Sequence, residues 1–183
     1  SPMVTMIFFI KLYKKRDLKP FQNIAFTFLG IIYVAIPFSL LSVLAMRGGT
    51  YNYEIVLGCL LLLWATDIGA YFAGTYFGKR KLFERVSPKK SWEGAAGGAL
   101  LAGVVAFALG TYFTSHRPWE WYCIGALMVV SSTLGDLVES LFKRSIAIKD
   151  SGSTIPGHGG FLDRFDGLLL STPFIVTFVK IFS

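Results

Sequence analysis

Residues 53–77 read Y-E-I-V-L-G-C-L-L-L-L-W-A-T-D-I-G-A-Y-F-A-G-T-Y-F. At 1.5 Å per residue this stretch makes a helix of about 37 Å, enough to cross the roughly 30 Å hydrocarbon core of a bilayer. Its interior carries one ionisable group, Asp67. A carboxylate at that depth costs about 2.5–3.5 kcal/mol on insertion scales, so an intramembrane acid points to function. The bland alternative is a hydrogen bond from Asp67 to a Ser or Thr on a neighbouring helix.

The rest of the chain repeats the pattern. Of 183 residues, 54% are hydrophobic and only 16% charged, a balance suited to membrane helices and not to a soluble domain. Further apolar stretches of spanning character run over about 23–46, 94–113, 119–142 and 167–182. The last is short, and is expected to lie nearly upright or to end at the interface. Pro37 falls inside the first of these and is expected to kink it, which membrane helices tolerate. Residues 3–10 are too short to span alone and read as the tail of a longer helix or as an interfacial segment. The expected fold is therefore all-α, a polytopic transmembrane helical bundle with about five full spans. Residues 1–183 read as one unit, a C-terminal transmembrane part of a longer protein. The chain opens Ser-Pro without an initiator Met, and no signal peptide, repeat or linker is legible. Cys59 and Cys123 sit in apolar runs, which speaks against a disulfide framework or a thiolate metal site.

A net charge of +7 raises nucleic-acid binding as a possibility, and its distribution argues against it. Lys11, Lys14, Lys15, Arg16 and Lys19 precede the first span. Lys79, Arg80, Lys81, Arg85, Lys89 and Lys90 follow the second. Lys143, Arg144, Lys149 and Arg164 follow the fourth. These make 15 of the 18 cations, and alternating spans place all of them on one side. The positive-inside rule makes that side cytoplasmic, where anionic lipid headgroups or nucleotide phosphates are the natural partners. Tyr51, Tyr53, Trp119 and Trp121 mark the opposite interface as an aromatic belt.

The chemistry-bearing residues concentrate in 132–166, where five carboxylates, four cations, a His and a Gly-rich turn follow one another. Asp136 and Glu139 lie one helical turn apart on one face, and such a pair can hold a hard cation through oxygen ligands. Gly135 removes a side chain beside Asp136 and permits close backbone approach. Ser140 and Lys143 continue that face, so a plain Glu139–Lys143 salt bridge at i,i+4 competes with the cation reading. Gly157, Gly159 and Gly160 permit a tight turn whose N–H groups can face an anion, although the Gly-Lys-Ser/Thr of a Walker loop is absent. Asp163 and Asp166 converge if a helix begins near Phe161, and Arg164 between them offers a fork for phosphate. His158 alone carries little weight.

Ser87-Pro-Lys-Lys-Ser-Trp-Glu-Gly94 precedes the third span. Ser87 or Ser91 is placed to cap a helix N-terminus, and Lys89 and Lys90 bring point charges suited to phosphate. An ordinary basic loop is the competing reading. Gly74/Gly78 and Gly94/Gly98 have the spacing of close helix packing.

At these residues the chain resembles the phosphatidate cytidylyltransferase family, the CDP-diacylglycerol synthases. The resemblance rests on Ser140-x-x-Lys143-Arg144, Lys149-Asp150, Pro156-Gly-His-Gly-Gly160 and Leu162-Asp163-Arg164-x-Asp166. Gly135-Asp136-Leu-x-Glu139, the Ser-Pro-Lys-Lys-x-x-Glu-Gly segment and the intramembrane Asp67 fit as well. The resemblance implies transfer of cytidylate from CTP to phosphatidic acid within the inner membrane, with release of pyrophosphate and a requirement for Mg²⁺. A second cation of open identity and a homodimer are also expected. In that reading Asp136 and Asp163 are the principal metal ligands, with Asp67, Glu139 and Asp166 in support. Ser87, Lys89, Lys90, Lys143, Arg144, Lys149 and Arg164 hold phosphates. The turn of Gly157, Gly159 and Gly160 holds triphosphate or orients His158. Two other classes stay open: a CTP-dependent lipid kinase or archaeal-type ether-lipid synthase, and a cation transporter. The transporter accounts for Asp67, Asp136 and Glu139 but leaves the basic loop without a role.

Overall fold

The computed structural model describes residues 2–13, 19–47, 49–145 and 165–182. Asp163, His158, Lys149, Gly157, Gly159, Gly160 and Arg164 lie outside the described residues.

The architecture is an all-α polytopic membrane bundle, as the hydropathy pattern requires. Helix α1 covers Pro2–Tyr13, α2 Pro20–Gly30 and α3 Ile36–Ala45. Helices α4, α5, α6 and α7 cover Glu54–Phe77, Trp92–Tyr112, Pro118–Ser145 and Asp166–Phe182. A π-helical turn, Ile31–Ala35, joins α2 to α3 into one span, Pro20–Ala45. Its cause is local. Pro37 has no N–H to bond the carbonyl of Tyr33, and just upstream the Ile36 N–H bonds to Ile31 O, five residues back. The irregularity expected at Pro37 is thus a π turn ahead of the proline.

Among the described residues four helices are long and apolar enough to cross a membrane: Pro20–Ala45, Glu54–Phe77, Trp92–Tyr112 and Pro118–Ser145. The fifth expected span, α7, has 17 residues and packs inside, with Leu168, Leu169, Ser171, Thr172 and Ile175 all buried. Among the described residues two small antiparallel hairpins interrupt the helices, in segments whose composition is that of loops. Strands β1 (Met46–Arg47) and β2 (Thr50–Tyr51) pair around Gly49, which takes a positive φ of 80°. Strands β3 (Lys81–Phe83) and β4 (Ser87–Ser91) pair between α4 and α5.

Lipid offers no hydrophobic driving force between helices, so close packing and hydrogen bonds must hold them. The α4–α5 pair shows how. A Cβ added at Gly98 would stand 2.7 Å from the Thr66 carbonyl oxygen, and one at Gly94 would stand 2.9 Å from that of Ala70. Only glycine lets the two backbones approach so closely. Helix α6 joins α7 through Ser131 Oγ, which donates to Ser171 Oγ at 2.8 Å, while Ser171 donates to Gly167 O at 2.6 Å. The apolar core lies among α4, α5, α6 and α7, around Leu62, Cys59, Ile124, Met128, Leu168 and Trp121, each less than 2% exposed.

Candidate active site

The polar groups gather at one end of the bundle, around a cavity of about 890 Å³. Helix α4 contributes Asp67 and an apolar wall of Leu60, Leu63 and Trp64. Strand β4 contributes Ser87, Lys89 and Lys90, α6 contributes Asp136, and the start of α7 contributes Asp166. Six residues singled out from the sequence therefore face one space, although up to 99 positions separate them (67 to 166).

Each is placed by its element. Asp67 follows the buried Thr66, whose hydroxyl donates to Leu62 O at 2.8 Å, so Asp67 points away from the core and into the cavity. Gly135 brings α7 against α6: a Cβ there would stand 3.0 Å from Asp166 O and 3.3 Å from Gly167 Cα. That approach carries Asp166 to Asp136, and the two carboxyl groups lie within hydrogen-bonding reach of each other. Two carboxylates so close repel unless a proton or a cation lies between them. Asp166 Oδ1 also accepts from the Gly167 N–H at 2.6 Å, which fixes its orientation.

Lys90 supplies one cation to the cluster. Its Nζ forms an ion pair with Asp136 Oδ2 and donates to Thr133 O at 3.4 Å. Both side chains stay partly open, at 26% and 36% exposure. Lys90 therefore ties the β3–β4 hairpin to α6 across the cavity mouth.

The other expected site residues lie around this cluster. Glu139, read with Asp136 as a pair open to a cation, is 1% exposed and pairs with Lys143 Nζ at 3.5 Å. It sits behind the cavity, where its side chain interacts with Asp166. The carboxyl partner of Asp136 at the cavity surface is Asp166. Lys143 and Arg144 stand on the last turn of α6 outside the cavity lining. Of the two serines offered as caps, Ser91 caps α5, its Oγ accepting from the Gly94 N–H at 3.1 Å, while Ser87 lies in β4. Asp166 opens α7, with Phe165 in the preceding turn, and the expected helix start near Phe161 and Asp163 fall outside the described residues.

Other residues reach the site with no chemical signal in the sequence. Trp64, Tyr71, Ser132 and Thr133 line the cavity but look like ordinary span residues. Tyr33, on the π turn, has a buried hydroxyl, and the charged groups that reach it are Glu139, Asp166 and Asp136. Nearby Pro37 was the available signal, since π turns often mark functional positions.

The donor set at the cavity is hard oxygen: Asp67, Asp136 and Asp166. Among the described residues no three His, Cys, Asp or Glu side chains converge in metal-binding geometry. The oxygens and the charge fit a hard divalent cation that takes one or two carboxylates and completes its shell with water and substrate phosphate.

A profile of the Cytidylyltransferase family matches residues 2–182. The chain is 42% identical over 170 residues to a protein named phosphatidate cytidylyltransferase from Haemophilus influenzae, covering 87% of this chain and 57% of that protein. It is 40% identical over 165 residues to the protein of that name from Bacillus subtilis, covering 89% and 61%. A Mycobacterium bovis protein of that name is 45% identical over 115 residues, covering 62% and 37%. The chain thus spans less than two thirds of the length of these relatives.

Proposed function

The chain belongs to the cytidylyltransferase family, and we propose that it forms the catalytic region of an integral-membrane enzyme converting CTP and phosphatidic acid to CDP-diacylglycerol and pyrophosphate. The observation that carries this reading is the two-sided cavity. An apolar wall from α4 meets a rim of Ser87, Lys89, Lys90, Asp67, Asp136 and Asp166. At about 890 Å³ the cavity suits a nucleotide beside a lipid headgroup.

In this reaction a phosphate oxygen of phosphatidate attacks the α-phosphorus of CTP. The bond from the α-phosphorus to the bridging oxygen breaks, and pyrophosphate leaves with the electron pair. The attacking phosphate is already anionic, so the protein supplies position and charge, and no nucleophilic side chain is needed. Lys89 and Lys90 face the phosphates as point charges. Lys90, paired with Asp136 in the structure, lies where a phosphate oxygen can replace that carboxylate as its partner. Leu60, Leu63 and Trp64 hold the glycerol and upper acyl region in an apolar setting. Asp136 and Asp166, supported by Asp67, would hold Mg²⁺, which when bound neutralises the charge developing on the phosphates. Asp163 and Arg164 belong to the same proposal on the sequence motif alone.

We further propose that the cavity faces the cytoplasm, because the basic β3–β4 segment, one of the loops that the positive-inside rule assigns to that side, lines the cavity. The reading is tested by supplying radiolabelled CTP and phosphatidate to the purified protein and identifying the products. A labelled cytidylyl lipid with pyrophosphate is expected. A phosphorylated lipid with CDP would assign a lipid kinase instead.

A further inference from the structure

The β3–β4 hairpin delivers Ser87, Lys89 and Lys90 to the cavity, yet little in its own structure explains its order. Two register pairs join the strands, Lys81 with Ser91 and Phe83 with Ser87, with an irregularity between them. A two-stranded hairpin of this size is marginal by itself. Its tip region is also largely exposed, with Phe83, Glu84 and Arg85 open to solvent.

The restraint lies at the root, where the strands leave α4 and enter α5. Glu93 is the second residue of α5, in the turn capped by Ser91. Its carboxylate reaches back to the segment just after α4. Oε2 accepts from the Lys79 N–H at 3.1 Å and from the Arg80 N–H at 3.2 Å, and Oε1 lies 3.3 Å from the Arg80 nitrogen. The Trp92 N–H closes the same ring by donating to Arg80 O at 3.0 Å. Two successive backbone N–H groups around one carboxylate form a small anion nest, and the N-terminus of α5 adds its favourable dipole. The same root is packed tightly: a Cβ added at Gly78 would stand 2.8 Å from Ser91 Oγ.

We propose that Glu93 is a positioning residue. It does not line the cavity; it clamps the hairpin root, so that Lys90 arrives opposite Asp136 and Thr133 and Lys89 faces the substrate phosphates. This rests on the cytidylyltransferase reading for its kinetic consequence, but its structural consequence does not. Glu93→Ala removes the clamp, and Glu93→Gln keeps one carbonyl acceptor at the same reach.

The test uses the detergent-purified protein and two measurements. The first is amide hydrogen exchange followed by mass spectrometry. Glu93→Ala should speed exchange across residues 79–91 by about tenfold, the loss of a charge-assisted bond at the root, with the interiors of α4 and α5 unchanged. The second is steady-state kinetics with CTP varied. Glu93→Ala should raise KM for CTP by about tenfold with kcat within about threefold of the parent, and Glu93→Gln should recover part of the loss. Unchanged exchange across 79–91 would overturn the proposal. So would a fall in kcat at constant KM, which would place Glu93 in the chemistry, or exchange raised throughout α4 and α5, which would make it a general packing residue. If the parent makes no cytidylyl lipid, the functional reading fails, and the exchange measurement alone decides the clamp.

Discussion

Replacing Lys90 by Met isolates the bond that joins the hairpin to α6. Methionine keeps most of the apolar stem and removes the ammonium. Two contacts vanish together, the ion pair with Asp136 and the hydrogen bond to Thr133 O. At 26% and 36% exposure the pair is neither buried nor fully wet. Fully exposed pairs contribute about 0–1 kcal/mol, and charge-assisted bonds about 1.5–3 kcal/mol. For folding, solvent screening places the pair in the lower range, so the thermal midpoint should fall by less than about 4 °C. For turnover in the proposed reaction, the lost charge would face a polyanionic substrate inside the cavity, so the upper range applies. A loss of about 1.5–2.5 kcal/mol in transition-state binding lowers kcat/KM for CTP roughly 10- to 70-fold. Steady-state kinetics and thermal unfolding of the same detergent-purified sample provide both numbers. If kcat/KM stays within twofold of the parent, Lys90 does not face the phosphates. If the midpoint falls by about ten degrees or more in step with activity, the lysine acts through folding and not through the phosphates in the cavity.

Two further outcomes follow from the packing and the charge distribution. Gly98→Val drives a branched side chain against Thr66 O on α4 and should cost about 1–3 kcal/mol by overpacking, read as a lower thermal midpoint, whereas Gly103→Ala, with open space around its Cβ position, should be nearly neutral. A single cysteine at Ser87, in a background lacking Cys59 and Cys123, should resist an impermeant maleimide added outside intact cells and react after permeabilisation; efficient labelling from outside would reverse the orientation.

The spans were legible because a bilayer imposes a length and a polarity that composition cannot disguise. Residues 53–77 and 94–113 therefore lie close to α4 and α5. The ionisable residues stood out for the same reason, since Asp67 and Asp136 are costly inside an apolar run. Pairing was harder to read. Helical spacing placed Glu139 beside Asp136, but only the approach of α7 past Gly135 shows that Asp166 reaches the same point and that Glu139 turns inward to Lys143. The hairpin was hidden because Ser87-Pro-Lys-Lys-Ser is rich in charge and contains a proline, features of a loop. At its root the Glu93 carboxylate accepts from the Lys79 and Arg80 N–H groups just before β3, a pairing that no sequence pattern announces. Trp64 and Tyr71 were masked by their surroundings, since nothing in an apolar run distinguishes a cavity wall from a lipid-facing side.

Metal-assisted cytidylyl transfer to a lipid phosphate is the activity proposed for the cavity that holds Asp136, Asp166 and Lys90. The most direct test incubates the purified protein and its Asp136→Asn variant with CTP labelled at the α-phosphate and with phosphatidate, with and without Mg²⁺, and separates the lipid products. Asparagine keeps the size of the side chain and removes the charge that holds a hard cation. A labelled CDP-lipid is expected from the parent only with Mg²⁺, with a loss of about a hundredfold or more in Asp136→Asn in equally well-folded protein. Near-parental labelling of the lipid by Asp136→Asn would contradict it.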